Sequence, residues 1–166
     1  WEIKGSTQEC VTTTVTDGKR VFISGGWPKN HTMAVEADGS GVVAWQNTAR
    51  VYVPSMLVKG DQLYATMDAG FAVCWDSATG KERWKERLGG ALFASPVLAG
   101  NRIYATNLAG KSYVFSTDPK EFKLLATNQL GEEMYASPVI SGSRLYLRVT
   151  AKRGGRQEWL YCIGKN

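Results

Sequence analysis

The chain is poor in the residues on which most catalytic chemistry depends. Among its 166 residues there is one histidine, His31, and there are three scattered cysteines, Cys10, Cys74 and Cys162. His31 stands in "WPKNHT" with no nucleophile beside it, and no G-x-S-x-G elbow occurs. A Ser-His-Asp or Cys-His device therefore has no footing, and a place in a hairpin loop is expected for the histidine. The cysteines are too few and too far apart for a disulfide framework, and no C-x-x-C or Cys/His cluster is present to hold zinc. No apolar run approaches the roughly 18 residues needed to cross a bilayer, and the opening "WEIKGSTQEC" lacks the basic and apolar regions of a signal peptide. A strong excess of one charge is also missing. The net charge is +5, but both signs are interspersed, as in "KERWKER", so no nucleic-acid partner is expected.

What the chain does have is glycine and short apolar runs. Eighteen glycines, with 43% hydrophobic and 11% aromatic residues, are arranged as brief stretches punctuated by Gly, Asp, Asn or Ser. That pattern describes an all-β domain, and 166 residues suffice for one sizeable core.

The stretches recur. "ASPVLAGNRIYATNLAG" from Ala94 aligns without a gap on "ASPVISGSRLYLRVTA" from Ala136. "VPSMLVKGDQLYATMDAG" and "TTTVTDGKRVFISGG" fall in the same register. The turn glycines Gly18, Gly60, Gly100 and Gly142 are spaced by 42, 40 and 42 residues, and the anchors Phe22, Tyr64, Tyr104 and Tyr146 keep the same steps. Each copy reads as strand, Gly turn and strand, followed by a third run ("HTMAVEA", "FAVCWDS", "SYVFSTD", "WLYCIGK"). A fourth run ("GVVAWQN", "KERWKER", "FKLLATN") closes the first three copies. Four short strands per repeat of about 40 residues predict the blades of a β-propeller, each of which must stack on its neighbours to bury both faces. The expected blades cover 11–48, 51–90, 92–130 and 134–166, within a single domain of 1–166.

In "CWDSATGKERW" Asp76, Thr79 and Gly80 shape the turn after the third strand, and Trp84 on the outermost strand is free to cover the adjacent blade. Trp45 holds the matching place and Trp1 a similar one. Tryptophan at repeat spacing is explained by packing, so Trp1, Trp45, Trp84, Asp76 and Gly80 are expected to dock blades. Cys74 and Cys162 occupy corresponding third-strand positions and are expected to be inert core thiols.

The string A-x-D-x-x-T-G-x-x-x-W, met here from Cys74 to Trp84 with Cys in place of Ala, together with "ASPV…G…Y", resembles the pyrroloquinoline-quinone-type propeller repeat. The resemblance covers essentially the whole chain. The family includes quinoprotein alcohol dehydrogenases, the lipoprotein propeller of the outer-membrane assembly machine, and secreted or kinase-fused bacterial proteins. It implies a bacterial, extracytoplasmic protein, periplasmic, secreted or membrane-anchored, and commonly an eight-bladed ring. The quinone-binding members use an adjacent cysteine pair and a calcium-binding carboxylate. The pair has no match here, so no cofactor, no metal and no enzymatic activity are expected.

The repeats supply about four blades, the expected half of an eight-bladed propeller. The run 1–6 reads as a leading fourth strand, whereas the last copy has three strands. This leading strand is expected to act as a clasp that completes the last blade, or to be exchanged in a homodimer that completes an eight-bladed ring. The spacing favours the C-terminal half of a longer protein, with a four-bladed monomer and a head-to-tail dimer left open.

Binding is expected on one rim. The second-to-third-strand loops are lengthened by "GGWPKNH" in the first copy and by "TAKRGGRQE" in the last, and they share a face with the aromatics that precede the innermost strands. Trp27, His31, Tyr52, Phe93, Tyr135, Lys152, Arg153 and Arg156 form the candidate rim surface, against the plainer reading of solvated basic loops. The expected function is a non-catalytic scaffold that binds a protein or peptide through this rim or a strand edge. The alternatives are a partial or vestigial quinoprotein dehydrogenase domain and the extracytoplasmic sensor of a kinase fusion.

Overall fold

A computed structural model of the chain describes residues 2–3, 7–152 and 154–164. All of its regular structure is β, in four separate antiparallel sheets that follow one another along the chain. The chain is a β-propeller, and each sheet is one of its blades.

The first blade is β1 (Val15–Thr16), β2 (Arg20–Gly25), β3 (His31–Glu36) and β4 (Val43–Asn47). The second is β5 (Leu57–Lys59), β6 (Gln62–Met67), β7 (Phe71–Asp76) and β8 (Glu82–Arg87). The third is β9 (Val97–Ala99), β10 (Arg102–Thr106), β11 (Lys111–Ser116) and β12 (Leu124–Gln129). The fourth is β13 (Val139–Ser141), β14 (Arg144–Ala151) and β15 (Gln157–Ile163). Each blade is a meander in which every strand pairs with the next in sequence. The first two strands of each are joined through Gly18, Gly60, Gly100 or Gly142, all at positive φ with open space around a would-be Cβ. The tight turn, and not packing, demands glycine there.

The register repeats as closely as the sequence does. Phe22 pairs with Ala34, Tyr64 with Cys74, Tyr104 with Val114 and Tyr146 with Cys162. In the first three blades the third and fourth strands pair Ala34 with Trp45, Cys74 with Trp84 and Val114 with Ala126, and the ladder slips at the next residue each time. Successive residues of these strands point to opposite faces, so each blade contributes to two cores. Phe22, Ala34 and Trp45 meet Leu63, Ala65, Val73 and Trp75 between the first and second blades. Tyr64, Cys74 and Trp84 meet Ile103, Tyr113 and Phe115 between the second and third. The third core, under the last blade, is smaller and centres on Met134, Leu147 and Val149.

The segments that lead into the first strand of each blade are tied together by a hydroxyl relay. Thr13 N–H donates to Ser55 Oγ (2.9 Å), Ser55 N–H to Ser95 Oγ (2.9 Å) and Ser95 N–H to Ser137 Oγ (3.0 Å). Each of these serines takes the same place in its copy of the repeat, so the relay runs from blade to blade.

Two expectations change. His31 is the first residue of β3, paired with Gly25, and not a loop residue. Cys74 is fully buried, but Cys162 is exposed, because β15 has no fourth strand beside it among the described residues and Cys74 has β8. Trp1, Arg153 and most of the run 1–6 lie outside the described residues. The residues that follow this run pack on the first blade, where a Cβ on Gly25 would meet Thr7 and Cys10.

Candidate functional site

The loop between β14 and β15 carries Lys152 and Arg156, and the chain leading into β13 carries Glu132, Glu133 and Tyr135. Glu133 is brought to the loop by an antiparallel bridge to Thr150. Lys152 Nζ lies 2.6 Å from Glu133 Oε1, and Lys152 N–H donates to Glu132 Oε2 at 2.5 Å. Arg156 reaches Glu133 Oε2 at 3.6 Å and Glu158 Oε1 at 3.5 Å, while Arg148 Nε donates to Glu158 Oε2 at 2.9 Å. The Lys152 hydrogen bond, with Arg156 nearby, holds the Glu133 carboxyl below its usual range, and the same bond raises Lys152. Lys152 and Arg156, which read as basic in sequence, are thus paired with carboxylates. Beside it, Tyr135, Ala136 and Thr150 join these charges around a cavity of about 120 Å³. Such a site offers hydrogen bonds of both polarities and one exposed aromatic ring, a surface fit for peptide groups.

A second group lies on the first two blades. A Cβ on Gly26 would strike Tyr52 Cβ at 2.5 Å and its ring at 2.6 Å, so the loop bearing Trp27 rests on Tyr52. The Tyr52 hydroxyl donates to the Glu9 carboxylate, and the Arg50 guanidinium sits 5.2 Å from the ring centroid. The hydrogen bond to Glu9 raises the tyrosine pKa. Asp68 fixes this corner by accepting from Val53 N–H (3.0 Å) and Tyr52 N–H (3.2 Å). Trp27, after which the peptide bond to Pro28 is cis, is exposed. Phe93 is exposed, and His31 stands at the start of β3. No hydrogen bond or ring contact among the described residues joins the two groups. The structure therefore assembles Tyr135 with Lys152 and Arg156, and Trp27 with Tyr52, as separate patches.

The docking residues have defined partners. Asp76 Oδ1 accepts from the N–H groups of Ala78 (3.1 Å) and Thr79 (3.0 Å) and from the Thr79 hydroxyl (2.9 Å), and Oδ2 receives Arg83 at 2.7 Å. Gly80 follows at φ +69, where a Cβ would meet the Trp45 ring at 2.5 Å. Trp45 Nε1–H donates to Ser77 O and Trp84 Nε1–H to Asp118 O, both at 2.8 Å and both into the next blade. The D-x-x-T-G turn of one blade is thus the seat for the preceding blade's indole.

Sequence reasoning missed the acidic partners of the rim, Glu132, Glu133 and Glu158, because pairing between a loop, the segment before β13 and β15 has no sequence spacing. It also missed the exposed row on β15 (Trp159, Leu160, Tyr161 and Ile163), although the alanine at position 126, where the other copies have tryptophan, was a visible signal. Among the described residues no group of three or more His, Cys, Asp or Glu side chains could hold a metal ion.

Comparisons with known proteins agree with this architecture. A family model described as "Outer membrane protein assembly factor BamB" matches residues 2–86 and 33–122. No curated protein matches the chain. The crystal structure of BamB from Moraxella catarrhalis is similar with a TM-score of 0.66 at 12% identity, over 83% of this chain and 40% of that one. A europium-containing methanol dehydrogenase is similar at 0.63 and 15% identity, over 79% of this chain and 27% of that one. The computationally designed Ika4 protein reaches 0.73 at 15% identity, over 98% of this chain and 96% of that one. The chain thus spans less than half the length of the two natural structures, and at these identities the likeness is one of fold.

Proposed function

The chain belongs to the family of the outer membrane protein assembly factor BamB, and from that premise we propose that it is a non-catalytic propeller scaffold that binds a protein or peptide. Binding takes place on the loop face around Tyr135 or along the open edge of β15. The protein works outside the cytoplasm, and a second copy that completes a larger ring is one partner it would admit. The observation that carries this reading is β15, a seven-residue strand whose every residue is exposed and which has no neighbour on one side among the described residues. Such an edge offers main-chain donors and acceptors to another chain.

The test is site-specific photocrosslinking in cells of the source organism, with the crosslinker at Tyr135, at Leu160 and, as a control, at Lys19 on the first-blade turn. A discrete protein adduct from Tyr135 or Leu160 and none from Lys19 is expected. Absence of adducts at both would remove the scaffold reading. Because one similar structure is a dehydrogenase, the melting temperature is also measured with calcium and pyrroloquinoline quinone. A large rise, with quinone-dependent alcohol oxidation, would replace the scaffold with an enzyme.

A further inference from the structure

In the first blade Arg20 is held by two carboxylates. Its guanidinium lies 3.3 Å from Asp17 Oδ2, directly before the turn glycine, and 3.3 Å from Glu36 Oε1, its cross-strand partner on β3. The repeat carries the arginine into the third blade as Arg102 but leaves both partners behind. The residue before the turn glycine is there Ala99, and the one paired with Arg102 on β11 is Ser116. A methyl group and a hydroxyl have replaced the carboxylates, and the arginine has stayed.

Other cations gather beside it. Lys59, which holds the place of Asp17 in the second blade, crosses to the third, where its ammonium donates to Gly100 O (2.7 Å), to Thr117 Oγ1 (3.1 Å) and to Asn101 Oδ1. Lys123 enters from the connection between β11 and β12, and with Arg102 these side chains line an open cleft of about 610 Å³. One carboxylate shares the lining, Asp118, whose Oδ1 is already engaged by Lys120 N–H at 2.9 Å. Among the described residues none of Lys59, Arg102 and Lys123 forms an ion pair. The hydroxyls add donors, not acceptors. Thr117 Oγ1 accepts from Lys59 and Ser116 Oγ accepts Asp118 N–H at 3.4 Å, so each O–H proton is left to donate. The complement of such a cleft is an anion rich in acceptor oxygens.

We propose that this cleft, where the second blade meets the third, binds a phosphate monoester. Its phosphate oxygens are taken by the Arg102 guanidinium and the Lys123 ammonium and by the Ser116 and Thr117 hydroxyls, while Lys59, its N–H groups spent within the protein, adds charge. A doubly charged group matches three cations offset by one carboxylate better than a single carboxylate does, and a guanidinium fork suits tetrahedral oxygens. Beside the phosphate, Leu125 offers the organic part of the ester an apolar wall. The cleft lies at the end of the blades that bears the β9–β10 turn, opposite the end that bears the loop between β14 and β15, so it is a site apart from the rim.

The test titrates the whole chain with glycerol 3-phosphate by calorimetry at low ionic strength and mildly alkaline pH, where the ester is doubly charged. In parallel the chain is sedimented with vesicles of phosphatidylcholine, with and without phosphatidic acid. Saturable binding is expected: to the soluble ester if a small molecule is the source, or to the phosphatidic acid vesicles alone if a lipid headgroup is. Arg102→Gln, which installs the residue that the second blade has as Gln62, and Lys123→Gln should each weaken binding about tenfold, the worth of one charge-assisted hydrogen bond. Neither should lower the melting temperature. Ser116→Glu places a carboxylate opposite Arg102, as Glu36 stands opposite Arg20, and should abolish binding; the two glutamine variants carry the test if it does not fold. Lys19→Gln, the same loss of charge on the first-blade turn, should leave affinity unchanged. Absence of binding to ester and vesicles alike, equal affinity for acetate, or equal weakening by Lys19→Gln would overturn the proposal, the last two by reducing it to general attraction toward a net charge of +5. Crosslinks at Tyr135 and Leu160 do not involve this cleft, so the scaffold reading and this one fail separately.

Discussion

At Trp84 a single side chain serves two blades. Its indole is 7% exposed, donates to Asp118 O and touches aromatic rings on both sheets. Emptying such a site removes buried area and leaves a cavity, so Trp84→Ala should cost about 3 to 5 kcal/mol in urea unfolding. A loss under about 1 kcal/mol would show that the junction does not depend on the indole. The thiols divide in the same terms. Burial pushes the Cys74 pKa up to about 12, which keeps the thiol protonated and unreactive at neutral pH, whereas Cys10 and Cys162 are exposed. A disulfide reagent should therefore titrate two of the three thiols in the native protein and the third only on unfolding. Three fast thiols would mean that the second junction opens readily.

At the scale of the element, the hairpin between β7 and β8 joins geometry to charge. Burial would raise the Asp76 pKa, but hydrogen bonds from Thr79 and Arg83 outweigh it and leave the carboxyl below its ordinary 3.8. Asp17, in the turn between β1 and β2, is lowered in the same way: burial opposes, and the N–H groups of Arg20 and Lys19 prevail. A carboxyl with a depressed folded pKa stabilises fully above its unfolded pKa, and that stability is lost as pH falls through the folded value. The urea midpoint should accordingly hold from pH 6 to about 4 and fall below it. Asp76→Asn should lower the plateau and flatten the acid limb. An unchanged acid limb would mean that the Asp76 hydrogen bonds add nothing to stability. The turn itself was legible in the sequence, since Asp, Thr and Gly at these offsets have a known backbone chemistry. Its second role was not, because the Trp45 ring that seats on Gly80 comes from the previous repeat.

Over the whole molecule, cohesion comes from repeated links between neighbours, as expected for a stacked architecture. The hydroxyl relay is the most regular of these. Ser95→Ala would leave Ser55 N–H without its acceptor, at about 1 to 3 kcal/mol if no water replaces it. The loss should appear as earlier unfolding of the first two blades relative to the last two in hydrogen exchange. Uniform destabilisation would show that the blades unfold as one unit. The last blade is where the regularity ends: its smaller core, exposed β15 and alanine-facing junction set it apart from its three predecessors.

The sequence by itself determined the repeat, the four-stranded blade, the turn glycines and the anchors, because these follow from local periods and backbone chemistry that recur at 40 to 42 residues. It also marked Trp45 and Trp84 by spacing alone. Only the tertiary structure decided that Lys152 and Arg156 pair with Glu133 and Glu158, that Cys162 is exposed while Cys74 is buried, and that Tyr161 and Ile163 of the last blade stay exposed. Each of those outcomes depends on what lies across a blade boundary. Contacts across a boundary are set by stacking, and stacking joins residues that no local pattern relates.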